Sequence, residues 1–268
     1  MKGACCARGT LRFSPCGRAE EGAFSRVREC PLYPPPSERE GSSPRPPTLA
    51  VCSLKICAAC GIHNSGCNES RHDGIHTFYV SKNSHVRYVE KHYGEGDGSG
   101  TRVMNPTTIV YLDEGASIQM ETVQIRGIDS TVRKTKIVCG KDAEAVVTER
   151  LLTHGKQHAE SDMEIELNGE DARGRIISRS VAQDESQQVF HPVVVGNSRC
   201  FGHVQCDSII MGKAKIESIP AITANSTDAQ LIHEAAIGKI AGDQLLKLQT
   251  LGLTEEEAED TILKGFLA

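Results

Sequence analysis

The sequence predicts a mainly β fold: a parallel β-solenoid followed by a small C-terminal helical domain, behind an N-terminal segment expected to be disordered. Three observations predict it. Short runs rich in β-branched residues recur along the chain. Tight polar turns separate them, returning roughly every 27–32 residues. Near the end the apolar period changes from that of a strand to that of a helix.

Residues 1–52 come first. Eight of the eleven prolines lie within residues 1–50, including "PLYPPPSEREGSSPRPP", and no periodicity survives there. Such a segment buries too little apolar surface to offset the entropy of ordering it. Its charge differs as well, with ten Lys/Arg against seven Asp/Glu over residues 1–73, whereas the remainder is acidic. The segment reads either as disordered or as foreign to the native protein.

The solenoid is expected over residues 53–230. Its strand candidates are "HTFYV", "TTIVYL", "SIQMETVQI", "AEAVVTERLL", "MEIEL", "GRIISRSV", "FHPVVV" and "DSIIMG". In "MEIEL" the alternation is strict: Met163, Ile165 and Leu167 face one way, Glu164 and Glu166 the other. The turns are "SKNS", "DEGA", "GKDA", "NGED" and "VGNS". Each unit reads as strand, turn, strand, so stacked units share one aliphatic column. An antiparallel sandwich stays open, because Asn168–Gly169 is also a good hairpin signal. The helical domain is expected over residues 231–268. There "DQLLKLQTLG" sets Leu245, Leu246 and Leu248 along a helix that Gly252 stops, and Thr254 with Glu257 opens a second helix through a capping box.

Composition narrows the function. A net charge of −5 gives no electrostatic reason to expect nucleic acid. No apolar run reaches the roughly 20 residues a membrane span needs, and the first residues carry no signal-like core, so a soluble cytoplasmic protein is expected. Zero Trp and 4% aromatics argue against a solenoid enzyme acting on polysaccharides. No "GK" pair sits in a phosphate-binding loop, so any ATP hydrolysis belongs to another chain. Eleven cysteines, an odd number, argue against a disulfide framework. Of the thiols, Cys52, Cys57, Cys60 and Cys67 lie near His63 but form only one CxxC, a weak metal signal. Cys206 sits within "HVQCDSIIMG", where a buried inert thiol is the commonest fate of such a residue. His233 and Glu234 are neighbours in "LIHEAAIGKI"; adjacent side chains point apart on a regular helix or strand, so the pair alone is weak.

Taken together, "HVQCDSIIMG" and "LIHEAAIGKIAGDQLLKLQTLGLTEEEAEDTILKGF" resemble the C-terminal core of the SufB/SufD iron–sulfur cluster assembly proteins. "HDGIHTFYV" and "YVEKHYGEGDG" look like the shorter SufB-like members, and the resemblance covers about residues 53–268. It implies a right-handed parallel β-helix, pairing of two such chains as a homodimer or heterodimer through their β-helices, and docking of a SufC-like ATPase on the helical end. It implies a transiently bound iron–sulfur cluster, with Cys206 as its thiolate ligand, Glu234 as an acidic ligand and His233 beside them. Cys200 is a possible auxiliary thiol. Leu245, Leu246, Leu248, Ile262 and Phe266 are the expected partner-binding residues. A sulfur donor and a cluster acceptor complete the expected partners, and no nucleotide is expected to bind directly. The implied role is a non-enzymatic scaffold; the alternative is a SufD-like structural partner without a complete site. One departure stands out. The long SufB form carries a further cysteine, proposed to receive sulfur, in a strand matching "TTIVYLDEG", which has none, and Cys139 lies in a later strand.

Overall fold

The computed structural model describes residues 73–91 and 102–268, together with the backbone alone of residues 4–5, 8–13, 53–63, 70–72, 92–95 and Arg126. The strands in chain order are β1 (Ala4–Cys5), β2 (Arg8–Phe13), β3 (Ser53–His63), β4 (Ser70–His72), β5 (Ile75–Val80), β6 (His85–Glu95), β7 (Arg102–Met104), β8 (Thr107–Leu112) and β9 (Ser117–Arg126). There follow β10 (Ser130–Cys139), β11 (Glu144–Thr153), β12 (His158–Leu167), β13 (Ala172–Ala182), β14 (Gln187–Gly196), β15 (Cys200–Ile210), β16 (Lys215–Ser218), β17 (Ala221–Ala224) and β18 (Ala229–Gly238). Helices α1 (Gly242–Thr250) and α2 (Glu255–Leu267) end the chain. The disorder expected over residues 1–52 concerns a segment that, apart from the backbone of β1 and β2, lies outside the described residues.

From β9 onward, successive strands alternate between two sheets. One runs β18-β15-β13-β11-β9-β6-β3; the other contains β10, β12, β14 and the β16–β17 pair. The ladders that build both are parallel, as in β11–β13 and β12–β14. This is the solenoid, and it excludes the sandwich, which would need antiparallel pairs. Each coil places one strand in each sheet, and the coil-to-coil offset carries inward residues onto inward residues.

The turns explain the period. Asn83, Gly115, Asp142 and Asp171 have positive φ, between 54° and 65°. Each donates its backbone N–H to a carbonyl one coil further on: Glu114, Lys141, Glu170 and Arg199 respectively. Asn and Asp tolerate this left-handed conformation better than other residues with a Cβ, and Gly without strain, which is why these polar types mark the corners.

Between the sheets lies an aliphatic column that includes Ile118, Ile137, Ile165, Leu167, Ile176, Val194 and Val204. The column is not apolar throughout. Thr122, Glu149, Ser178 and Cys206 stand in register on β9, β11, β13 and β15, all buried. Facing them from the other sheet are buried Thr131, Arg133, Ser161 and Gln188. A polar seam therefore runs inside the solenoid toward its C-terminal end.

The helical segment starts at Gly242 rather than at 231, because β18 continues the last coil through Gly238. α2 is capped as expected: Thr254 accepts from the Glu257 N–H while the Glu257 carboxylate accepts from the Thr254 N–H. Its Leu263 and Leu267 pack on Val181 of β13, joined by Leu152, Ile209, Met211, Ile240 and Phe266. No helix among the described residues is long and apolar enough to cross a membrane.

Candidate functional site

Cys206 lies on β15 with its side chain turned into the solenoid, 2% exposed. Its Sγ is 3.6 Å from Nε2 of His233 on the neighbouring β18. The register explains the meeting. Val204 pairs with His233 and Cys206 with Ala235, so inward residues of both strands share one side. A small cavity opens at the thiol, lined among others by Glu149, Ser178, Gln188, Ser208 and Ser218.

The electrostatics keep the thiol protonated. Burial pushes the Cys206 thiol up to about 11; the Ser218 hydroxyl opposes this, while the carboxylates of Asp207 and Glu149 push further up. Glu149 is itself buried and held from three sides. Ser161 donates at 2.7 Å, Ser178 donates at 3.1 Å, and the Arg133 guanidinium lies 3.7 Å away.

Glu234 is placed differently. It pairs in register with Gln205, one residue before Cys206, and its carboxylate accepts from or shares a proton with His203 Nε2 at 2.8 Å. Because facing alternates along a strand, Glu234 and Cys206 occupy opposite faces of the same sheet. Within one chain the structure thus brings Cys206 to His233, and pairs Glu234 instead with His203. Sequence reasoning missed His203. It stands three residues before Cys206 and thirty-one before Glu234, and only the parallel ladder brings it beside the carboxylate.

The other thiols stand apart. Cys200, buried at the start of β15, has its thiol raised by burial, with a backbone hydrogen bond at Ser198 opposing this. Cys139, buried at the end of β10, is pushed up to about 12 by burial alone. Among the described residues neither forms a hydrogen bond with Cys206, and all three are free thiols outside any disulfide. Cys52, Cys57, Cys60, His63 and Cys67 fall among residues whose side chains lie outside those described.

Among the expected partner-binding residues, Leu246 is 60% exposed, whereas Phe266 packs against the Val181 cluster and Leu245, Leu248 and Ile262 are half-buried. Leu251, which sequence reasoning did not single out, is 72% exposed at the end of α1.

A family model described as the SufBD core domain of SUF-system FeS cluster assembly matches residues 53–266. An iron–sulfur cluster assembly SufBD family protein of Methanocaldococcus jannaschii is 33% identical over 190 residues, covering 70% of this chain and 60% of that protein. A SufBD family protein of Pyrococcus horikoshii is 31% identical over 164 residues, covering 60% of this chain and 37% of its own length. A chloroplastic SufBD family protein of Arabidopsis thaliana is 27% identical over 204 residues, covering 73% of this chain and 36% of that protein. The chain thus spans between about a third and three fifths of the length of these relatives.

Proposed function

Since the chain belongs to the SufBD core family of SUF-system iron–sulfur cluster assembly, we propose that it is a scaffold subunit on which a labile cluster is built and handed on, and that Cys206 and His233 are the ligand pair it contributes. The observation that carries this reading is the approach of Cys206 Sγ to His233 Nε2, 3.6 Å apart beside a small cavity at the last coil. One thiolate and one imidazole leave most iron positions open, whereas clusters kept for electron transfer usually take four cysteine thiolates. An incomplete set suits a cluster that is cargo.

The remaining ligands then come from a paired SufB/SufD-type chain, a second copy or a related one. Glu234 fits that scheme as a donor to the partner's side, since it faces away from its own Cys206. The proposal also requires opening. A buried thiol at about 11 binds iron only once the site is exposed or the metal itself displaces the proton. A SufC-like ATPase docked on the helical end would supply that motion by biasing the last coils between two arrangements.

Anaerobic reconstitution with iron and sulfide, read by visible absorption, tests the ligand assignment. Wild type is expected to develop cluster bands, Cys206→Ala to lose them, and His233→Ala to retain a weaker, shorter-lived signal. Full reconstitution of Cys206→Ala would remove the reading.

A further inference from the structure

On the outer face of the other sheet, Glu160 and Asp162 of β12 and His191 of β14 offer ligand atoms that all lie within 4.8 Å of one another. We propose that these three side chains form a divalent cation site, distinct from Cys206, that takes a first-row transition ion preferring nitrogen and oxygen ligands. Its argument does not depend on the proposed scaffold role.

The register builds the site. Asp162 and His191 are direct partners across the parallel ladder, and Glu160 stands two residues before Asp162 on the same face. The His191 Nδ1 is 2.7 Å from Asp162 Oδ1, so imidazole and carboxylate already converge. All three side chains are half-buried, anchored on strands in the body of the sheet, yet open to solvent on one side. Rigid strands hold such a set with less ordering cost than loops do.

Charge compensation supplies a second line of support. Several carboxylates of the solenoid are met by a cation from an adjacent coil. Lys136 bridges Glu164 and Glu166 on the same strand as this site, Arg102 meets Asp129, Arg150 meets Glu121, and Arg199 meets Asp171. Glu160 and Asp162 are not among them. Lys134 is the register partner of Asp162 on β10, but among the described residues no Lys or Arg forms an ion pair with either carboxylate. Two like charges are held together with only an imidazole between them. A divalent ion neutralises both and accepts a nitrogen donor, a mixed set suited to Mn2+, Fe2+ or Zn2+ rather than to Ca2+. On binding, the ion takes the Nδ1 lone pair, and any proton held between Nδ1 and Asp162 leaves to Nε2 or to solvent.

Mn2+ is the probe, because it favours carboxylate over thiolate and so discriminates against the cysteines. Full-length protein titrated with Mn2+ and followed by electron paramagnetic resonance is expected to bind one equivalent at sub-millimolar concentration. Pulsed measurements on that ion are expected to show coupling to an imidazole nitrogen. His191→Gln and Asp162→Asn should each weaken binding at least about tenfold, with Cys206→Ser unchanged. The nitrogen coupling in wild type keeps the test independent of how well any variant folds. Absence of that coupling, or undiminished binding in a folded Asp162→Asn/His191→Gln double variant, would overturn the site.

Discussion

At the scale of single residues, Cys206 illustrates how a neighbourhood decides a side chain's chemistry. The same thiol that reads as a strand residue in the sequence is set against His233, Ser218 and the polar seam, and burial holds it as a neutral thiol. At pH 8 a thiol with a pKa of about 11 is about one part in a thousand thiolate. Alkylation of Cys206 in the folded protein, followed by mass spectrometry of its peptide, should therefore be slow and should accelerate sharply on unfolding. The stability consequence has a definite sign. Between about pH 9 and 11 the unfolded chain has lost this proton while the folded chain keeps it, so stability falls as pH rises through that window. Cys206→Ser should flatten that part of the alkaline stability curve. Rapid alkylation of the native protein at neutral pH would show that the thiol is not held as the structure has it. The sequence points to Cys206 and Glu234 only through family resemblance, and it cannot show that they face opposite ways, because facing depends on which register two distant strands adopt.

At the scale of elements, the corners set the solenoid. Gly169 sits in the turn between β12 and β13, stacked on the Gly140–Lys141 turn of the preceding coil and receiving the Ser198 hydroxyl from the following one. A Cβ added there would overlap the backbone of Gly140 and Lys141, which has no side-chain end to move aside. Gly169→Ala is therefore expected to cost about 3 kcal/mol, at the upper end of ordinary overpacking, measured as a lowered denaturation midpoint. A neutral substitution would show that the coils are spaced more loosely. The polar turns were legible as turns because Asn, Asp and Gly announce left-handed backbone. β10 was not singled out, since "STVRKTKIVC" mixes Lys and Arg into its alternation. Of those charges Arg133 turns inward, where Glu149 lies 3.7 Å away, and no local pattern reveals an interior salt bridge. The extension of β18 through His233 was missed for a related reason: half-buried Leu231 and His233 alternate with exposed Ile232 and Glu234, so apolar and polar side chains fall on both faces.

At the scale of the whole molecule, the two helices have two jobs that sequence alone cannot separate. α2 covers Val181 and its apolar neighbours on the solenoid, so truncating the helices would expose core and confuse any docking test. Leu246 and Leu251 are the outward residues, and substituting both by Glu leaves the packed face intact. That double variant should fold with an unchanged melting temperature and lose co-purification with a SufC-like ATPase; retention of the ATPase would place docking elsewhere. The sequence by itself determined the coil period, a repeating β architecture, the capped terminal helix and the family resemblance, because these depend on local backbone preference and on short blocks of contiguous residues; the parallel ladders that rule out a sandwich came from the tertiary structure. Tertiary structure alone decided which donors meet: His233 with Cys206, His203 with Glu234, and His191 with Asp162. Each pair is separated by 27 to 31 residues and united by coil-to-coil register, and a shift of a single position would send every one of those side chains to the other face.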